Sequence, residues 1–231
     1  MSVVEPKNKY YIRSKISEAK FRELVRLFAL DLETVKIAAL TGISRNHTTR
    51  ILGKIRRRIA EVCETQATLS GIIEVDESYF GPRRTKGKRG RGAGGKTIVF
   101  GLIKRGGNVY AQIVPDCAKP TLQAIIRGKV ELGSIVNTDG FKAYDGLVDL
   151  GYAKHLRVKH GENQFAHGKA HINGIESFWG YAKTRLAKMR GVHKKTFEVY
   201  LKECEWRFNN RTENLYKLLL KMLRENPLRV P

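Results

Sequence analysis

Acid is scarce in this chain of 231 residues: 22 Asp and Glu face 44 Lys and Arg, a formal net charge of +22. The three cysteines, Cys63, Cys117 and Cys204, are far apart and form no CxxC pair. That excludes a zinc ribbon and a disulfide framework, and it fits a reducing cytoplasm. No run approaches the roughly 18 apolar residues of a spanning helix, so a membrane partner is not expected. The N-terminus MSVVEPKNKYYIRSK lacks the basic-then-apolar layout of a secretory signal, and the chain is expected in the cytoplasm. No HExxH or other tight ligand spacing occurs among the six His. His155, His160, His167 and His171 share one short region and read as solvated or phosphate-facing groups.

What is present is enough for a core. An apolar fraction of 42%, with 9% aromatics, excludes a disordered basic tail. A positive excess this large predicts a polyanionic partner, and nucleic acid above all, because Lys and Arg that neutralise phosphates release condensed counterions.

Residues 1–66 read as a helical domain. Phe21, Leu24, Val25 and Phe28 fall at helical spacing, and Ile37, Ala38, Leu40, Ile43, Ile51 and Ile55 continue the pattern. In LTGIS, Gly42 supplies a tight turn and Ser44 an N-cap for a helix from about Ser44 to Cys63. The pattern is that of a helix-turn-helix, although an ordinary helical hairpin has the same apolar positions. Its second helix would present Arg45, Asn46, His47, Thr49 and Arg50 to DNA, followed by Lys54, Arg56, Arg57 and Arg58.

From Gly71 the texture changes to short β-branched and aromatic runs: GIIEVDESYFG, KTIVFGLIKRG, NVYAQIVPD, SIVNTDG and KHLRVKH. The first three read as consecutive antiparallel strands, with RGGN as the hairpin turn between the second and third. PTLQAIIRGKVEL reads as a helix opened by Pro120, AYDGLVDLG as a short helix, and two longer helices follow, near 173–190 and 195–210. The fold class is therefore α/β (α+β), a mixed sheet flanked by helices over about 67–211, with a helical tail at 212–231. The segment Gly81 to Thr97 holds seven Lys or Arg, six Gly and no acid. It reads as a flexible basic loop in which Arg83, Arg84, Lys86, Lys88, Arg89, Arg91 and Lys96 meet phosphates, a solvated linker being the alternative.

Against this background single carboxylates stand out. Glu176 is the only acid from Asn163 to Lys195. It lies beside an apolar stripe of Ile175, Phe178, Trp179, Ala182, Leu186 and Met189. Lys183, seven residues on, shares its helix face about 10 Å away, with small Gly180 between. NGIE also has the spacing of a capping box, with Asn173 as N-cap and Glu176 reaching back to it. Asp139 ends an apolar strand, or occupies a TDG turn. Asp76 sits inside the first strand, where an acid is costly unless hydrogen-bonded or holding a cation. Glu74 shares its strand face and Glu77 points the other way; the alternation leaves Glu74 and Asp76 both open. Two Asp and a Glu are oxygen donors of the kind that hold paired magnesium ions.

VDESYFG, NTDGFKAY, HINGIESFWGYAK and WRFNNR together resemble the DDE transposases of small bacterial insertion sequences, in the group with an ISXO-like catalytic domain. The resemblance covers about Gly71 to Arg211 and implies an RNase H-like fold, as in retroviral integrases. It implies an acidic triad of Asp76, Asp139 and Glu176 holding two Mg2+ ions, for which Mn2+ substitutes, with Lys183 on a DNA phosphate. It favours Asp76 over its neighbours and puts His171 and Asn173 at the edge of the site. Many relatives carry an N-terminal zinc ribbon that this chain lacks, which leaves end recognition to the helix-turn-helix. The implied function is a transposase that cleaves and joins DNA at terminal inverted repeats, as a dimer or larger assembly on double-stranded DNA. Two other readings share the residues: a DNA-binding regulator derived from an inactive transposase, and a metal nuclease without strand transfer.

Overall fold

The structure, a computed structural model, describes residues 8–65, 68–81, 96–139, 142–158, 172–189 and 191–230. In chain order the elements begin β1 (Tyr11–Ile12), α1 (Glu18–Ala29), α2 (Thr34–Thr41), α3 (Arg45–Glu64), β2 (Ile72–Phe80), β3 (Thr97–Lys104) and β4 (Val109–Val114). They continue α4 (Lys119–Lys129), β5 (Ile135–Asp139), β6 (Lys154–Val158), α5 (Asn173–Ala187), α6 (Phe197–Asn209), α7 (Leu215–Glu225) and β7 (Leu228–Arg229). The chain divides into two compact units, Cys63–Asn209 and Met1–Val62 with Asn210–Pro231.

The larger unit is built on a five-stranded mixed sheet in the order β4-β3-β2-β5-β6. β2, β3 and β4 are antiparallel neighbours, and β5 and β6 run parallel to β2. All five strands lie where the β-branched runs place them, since both faces of this sheet are covered by apolar side chains. On one face Ile73, Val75, Phe100 and Leu102 pack with Leu122 and Ile126 of α4. On the other, Phe80, Val99 and Val109 pack with Ile175, Phe178 and Trp179 of α5 and with Leu201 and Cys204 of α6. Successive residues of β3 and β4 thus feed opposite cores.

Two elements differ from expectation. AYDGLVDLG forms two 3-10 turns, Lys142–Tyr144 and Val148–Leu150, rather than one short helix. Gly146 (φ 84°) and Gly151 (φ 95°) take left-handed backbone that a continuous α-helix does not tolerate. α4 stops at Lys129, and Val130 turns extended to bridge Leu69.

β4 is an edge strand, and α6 covers its outward backbone. The Asn209 amide accepts from the Val109 N–H (2.8 Å) and donates to the Val109 carbonyl (2.9 Å), and Glu205 accepts from the Ala111 N–H (2.9 Å). A buried ionic cluster fastens α6 further. Glu203 pairs with Arg185 of α5 and with Arg207 (2.9 Å), and Lys202 pairs with Glu205 (3.1 Å) and Glu64 (2.8 Å). Each buried charge has an opposite partner, without which its burial is severely unfavourable.

In the smaller unit Phe21, Leu24, Val25, Phe28, Ile37, Ile51 and Ile55 are buried as the periodicity predicts. Leu40, expected in the same core, is instead 61% exposed. α2 ends on Gly42 in the left-handed conformation (φ 63°, ψ 20°), and the Ser44 hydroxyl accepts from the His47 N–H (3.4 Å) at the start of α3. The helical tail packs α7 against α1, and beyond it β7 pairs in parallel with β1, Leu228 opposite Tyr11.

Candidate active site

β5 pairs with β2 at only three positions, Ile72–Ile135, Ile73–Val136 and Glu74–Asn137. Carried on, that register brings Asp76 opposite Asp139. Beyond Glu74 the strands part, while β2 stays paired to β3 and β5 to β6 as far as Asp139–Val158. The parting leaves space between the middle of β2 and the end of β5 for side chains. Into it come Asp76, Glu77 and Asp139, each with a carboxylate oxygen within 4.8 Å of the others.

The first two carboxyls are held by aromatic donors. The Trp179 Nε1–H of α5 donates to Asp76 Oδ2 (3.0 Å), and the Tyr144 hydroxyl donates to Glu77 Oε1 (2.6 Å). Burial pushes Asp76 up to about 6; the hydrogen bond from Trp179 opposes this, and the charges of Asp139 and Glu176 add to it. Burial pushes Glu77 up to about 7, opposed by the Tyr144 hydroxyl and reinforced by Asp76 and Asp139. Trp179 reaches Asp76 because Gly101, the residue opposite Asp76 on β3, has no side chain. A Cβ there would lie 2.5 Å from the indole ring.

Glu74, which the alternation left open beside Asp76, has a different task. It is 1% exposed and accepts from Arg105 Nε (3.1 Å) and from the N–H groups of Gly174 (2.7 Å) and Ile175 (3.1 Å). It therefore supplies the cap of α5 from across the sheet, at the positive end of that helix. The capping box is not formed. Asn173 is the first helical residue and is exposed, and the N-cap position is Ile172, whose side chain makes no cap bond. Glu176 is freed from that role and lies on the exposed face of α5. It is outside the three-carboxylate group, yet near enough for its charge to raise Asp76. Lys183 is exposed on the same face, its Nζ 5.7 Å from the Phe80 ring, and a Cβ on Gly180 would meet nothing within 4 Å.

The residues predicted to meet DNA lie as follows. Arg45, Asn46, Thr49, Arg50 and Arg57 are exposed on α3, while His47 and Lys54 are half-buried. Arg56 is buried over the Phe28 ring (5.4 Å) and does not face solvent. Lys96 is half-buried just before β3. Arg83, Arg84, Lys86, Lys88, Arg89, Arg91 and His171 lie outside the described residues. His155 bonds Thr138 through Nε2 (2.9 Å), a structural contact of β6 with β5. Among the described residues no helix is long and apolar enough to cross a membrane.

The profile of the ISXO2-like transposase domain matches residues 68–209, the whole of the sheet and both covering layers. The chain belongs to the ISXO2-like transposase family. An uncharacterized transposase-like protein of Haemophilus influenzae is 46% identical over 115 residues, covering 50% of this chain and 92% of the relative. A second relative, an uncharacterized protein in transposable element ISH50 of Halobacterium salinarum, is 28% identical over 169 residues. That match covers 67% of this chain and 58% of the relative. Among solved structures, the Mos1 strand transfer complex is 14% identical with a TM-score of 0.36, covering 97% of this chain and 80% of that one.

Transposases of the DDE type use divalent metal ions, and the donor set here fits one: closely placed carboxylate oxygens suit a hard cation, and two of the groups are raised by burial and mutual repulsion that a cation relieves. The resemblance implies Asp76, Asp139 and Glu176, of which the first two lie together here with Glu176 outside the group. The strand pattern left Glu74 open as an alternative to Asp76, and gave no such part to Glu77, Tyr144 or Trp179. Tyr144 lies inside NTDGFKAY, the motif of Asp139, and Trp179 inside HINGIESFWGYAK, so the signal lay within motifs already singled out.

Proposed function

We propose that this member of the ISXO2-like transposase family is an RNase H-like DNA transposase that cuts and joins phosphodiesters at the parting of β2 and β5. The observation that carries the reading is the convergence of Asp76, Glu77 and Asp139 to within 4.8 Å in a chain of net charge +22. The strand order, three antiparallel strands followed by two parallel ones, supports the fold. Asp76 and Asp139, with Glu176 from α5, would hold the magnesium ions, and Glu77 stands beside them. Bound there, a pair of hard divalent cations supplies Lewis-acid activation of the phosphodiester.

The chain's own residues do the rest. Trp179 fixes the orientation of Asp76, and Tyr144 that of Glu77, so the carboxylates need no rearrangement on binding. Lys183 meets a DNA phosphate as a point charge, and the open face over Gly180 gives the strand room. In the N-terminal unit the Gly42 turn and the Ser44 contact support a helix-turn-helix. Arg45, Asn46, Thr49 and Arg50 would then read the terminal inverted repeat from the major groove. The basic segment 81–97 grips flanking backbone, with Lys96 at its end. Joining two element ends calls for a dimer or larger assembly on double-stranded DNA.

The test is a labelled duplex carrying the element's ends, incubated with the protein with and without Mg2+. Cleavage and joining disappear in Asp139→Asn while duplex binding persists. Undiminished cleavage by that variant removes the proposed site. Binding without cleavage by the parent protein favours a regulator, and cleavage without joining favours a nuclease.

A further inference from the structure

The N-terminal unit holds a cavity of about 320 Å3, lined by Lys54, Arg57, Arg58 and Glu61 of α3 and by Asn226, Pro227, Leu228 and Arg229 of the returning C-terminal segment. We infer that this cavity is a phosphate pocket for the DNA backbone, completed by the C-terminal segment. The inference rests on the DNA-binding reading of the same unit and adds to it a second contact, away from the groove-facing start of α3.

The α3 residues fall at i, i+3, i+4 and i+7, one face of a helix. Four cationic side chains meet one carboxylate there, an imbalance that favours an anion. The wall formed by the C-terminal segment is built rather than incidental. Lys54 Nζ donates to the Arg229 carbonyl (2.7 Å), and β7 is locked in register with β1, the Leu228 N–H donating to the Tyr10 carbonyl (2.9 Å). The segment that carries Arg229 is thus held against α3 from both sides.

Arg58 points most clearly to a ligand. Its side chain is only 17% exposed, and its one ion pair is to Glu61, Nε to Oε2 at 3.1 Å. Its Nη1 is nevertheless buried without a hydrogen-bond partner among the described residues. A buried donor left unmade is unfavourable, and a turn of the guanidinium toward the cavity would offer it to a phosphate oxygen. From Arg50 to Arg57 is about 10 Å along the helix axis, so one duplex lying on α3 can reach both the predicted reading residues and this pocket.

The test uses the full chain and a fluorescent duplex of arbitrary sequence, with affinity measured by anisotropy across a salt series. In Arg58→Gln the slope of log affinity against log salt becomes shallower by about 0.9 for the lost phosphate contact. Arg58→Gln/Arg229→Gln is shallower again, and circular dichroism is unchanged in both. Arg224→Gln, an equal loss of charge on exposed α7, leaves the slope as in the parent. A parental slope in the Arg58 variants overturns the pocket while leaving DNA binding by the unit intact. Equal shallowing in Arg224→Gln also overturns it, since net charge then explains the effect. Stabilisation of the parent by inorganic phosphate, with DNA slopes unmoved, assigns the cavity to a free anion and overturns the DNA proposal. Failure of the parent to bind duplex at all overturns both readings.

Discussion

Tyr144 and Glu77 lie 67 residues apart, and their hydrogen bond joins two of the motifs that mark this family. Tyr144 is fully buried, so its hydroxyl holds one orientation, and burial with the nearby carboxylates keeps it protonated well above its ordinary range. It is therefore a constant donor to a carboxylate that stands beside Asp76 and Asp139. Tyr144→Phe keeps the packing and removes only that donor. Losing an outer partner of this kind typically lowers metal affinity by about 10- to 100-fold. Tyr144→Phe is expected near the lower figure for Mn2+, measured by titration followed by electron paramagnetic resonance. An unchanged affinity means that Glu77 stands in the group without serving it.

At the scale of elements, the approach of α5 to β3 sets the site, and Gly101 permits it. Gly101→Ala forces the Trp179 ring away from Asp76, an overpacking that costs about 1–3 kcal/mol. Urea unfolding should register that loss, and cleavage should fall with it because Asp76 loses its donor. The strands themselves were legible, because runs such as TIVFGLIK have few ways to satisfy both backbone and apolar side chains. Asp139 was legible as an acid at the end of such a run. Two things were not. The cap of α5 comes from Glu74, one hundred residues before the N–H group it receives, and local spacing offered Asn173 and Glu176 instead. Alternation rightly put Glu77 on the face opposite Asp76, where it meets Tyr144 while Asp76 meets Trp179. The two carboxylates still converge because pairing between β2 and β5 ends at Glu74 and leaves that edge of β2 open beside Asp139, which the sequence pattern does not show.

For the whole molecule the acidic group is a cost carried by the metal-free state. Asp76 at about 6 and Glu77 at about 7 both titrate above ordinary carboxylates, and buried Glu205, raised by desolvation to about 6, acts in the same direction. Between about pH 4 and pH 7 the native chain therefore binds more protons than the unfolded one, so these groups withdraw stability as pH rises through that window. Without metal the protein should melt higher at pH 5.5 than at pH 7.5. Asp76→Asn should flatten the decline and melt above its parent at pH 7.5. Added Mg2+ should raise the parent's Tm more at pH 7.5 than at pH 5.5, and leave Asp76→Asn little changed. A parent whose Tm rises steadily across this range speaks against strained carboxylates.

The outward N–H groups of Val109 and Ala111, and the Val109 carbonyl, are already engaged by Asn209 and Glu205. A visiting backbone would have to evict two α6 side chains before pairing at Val109 or Ala111. Crowding many copies along one piece of DNA then carries little danger of their sheets fusing there into a fibre.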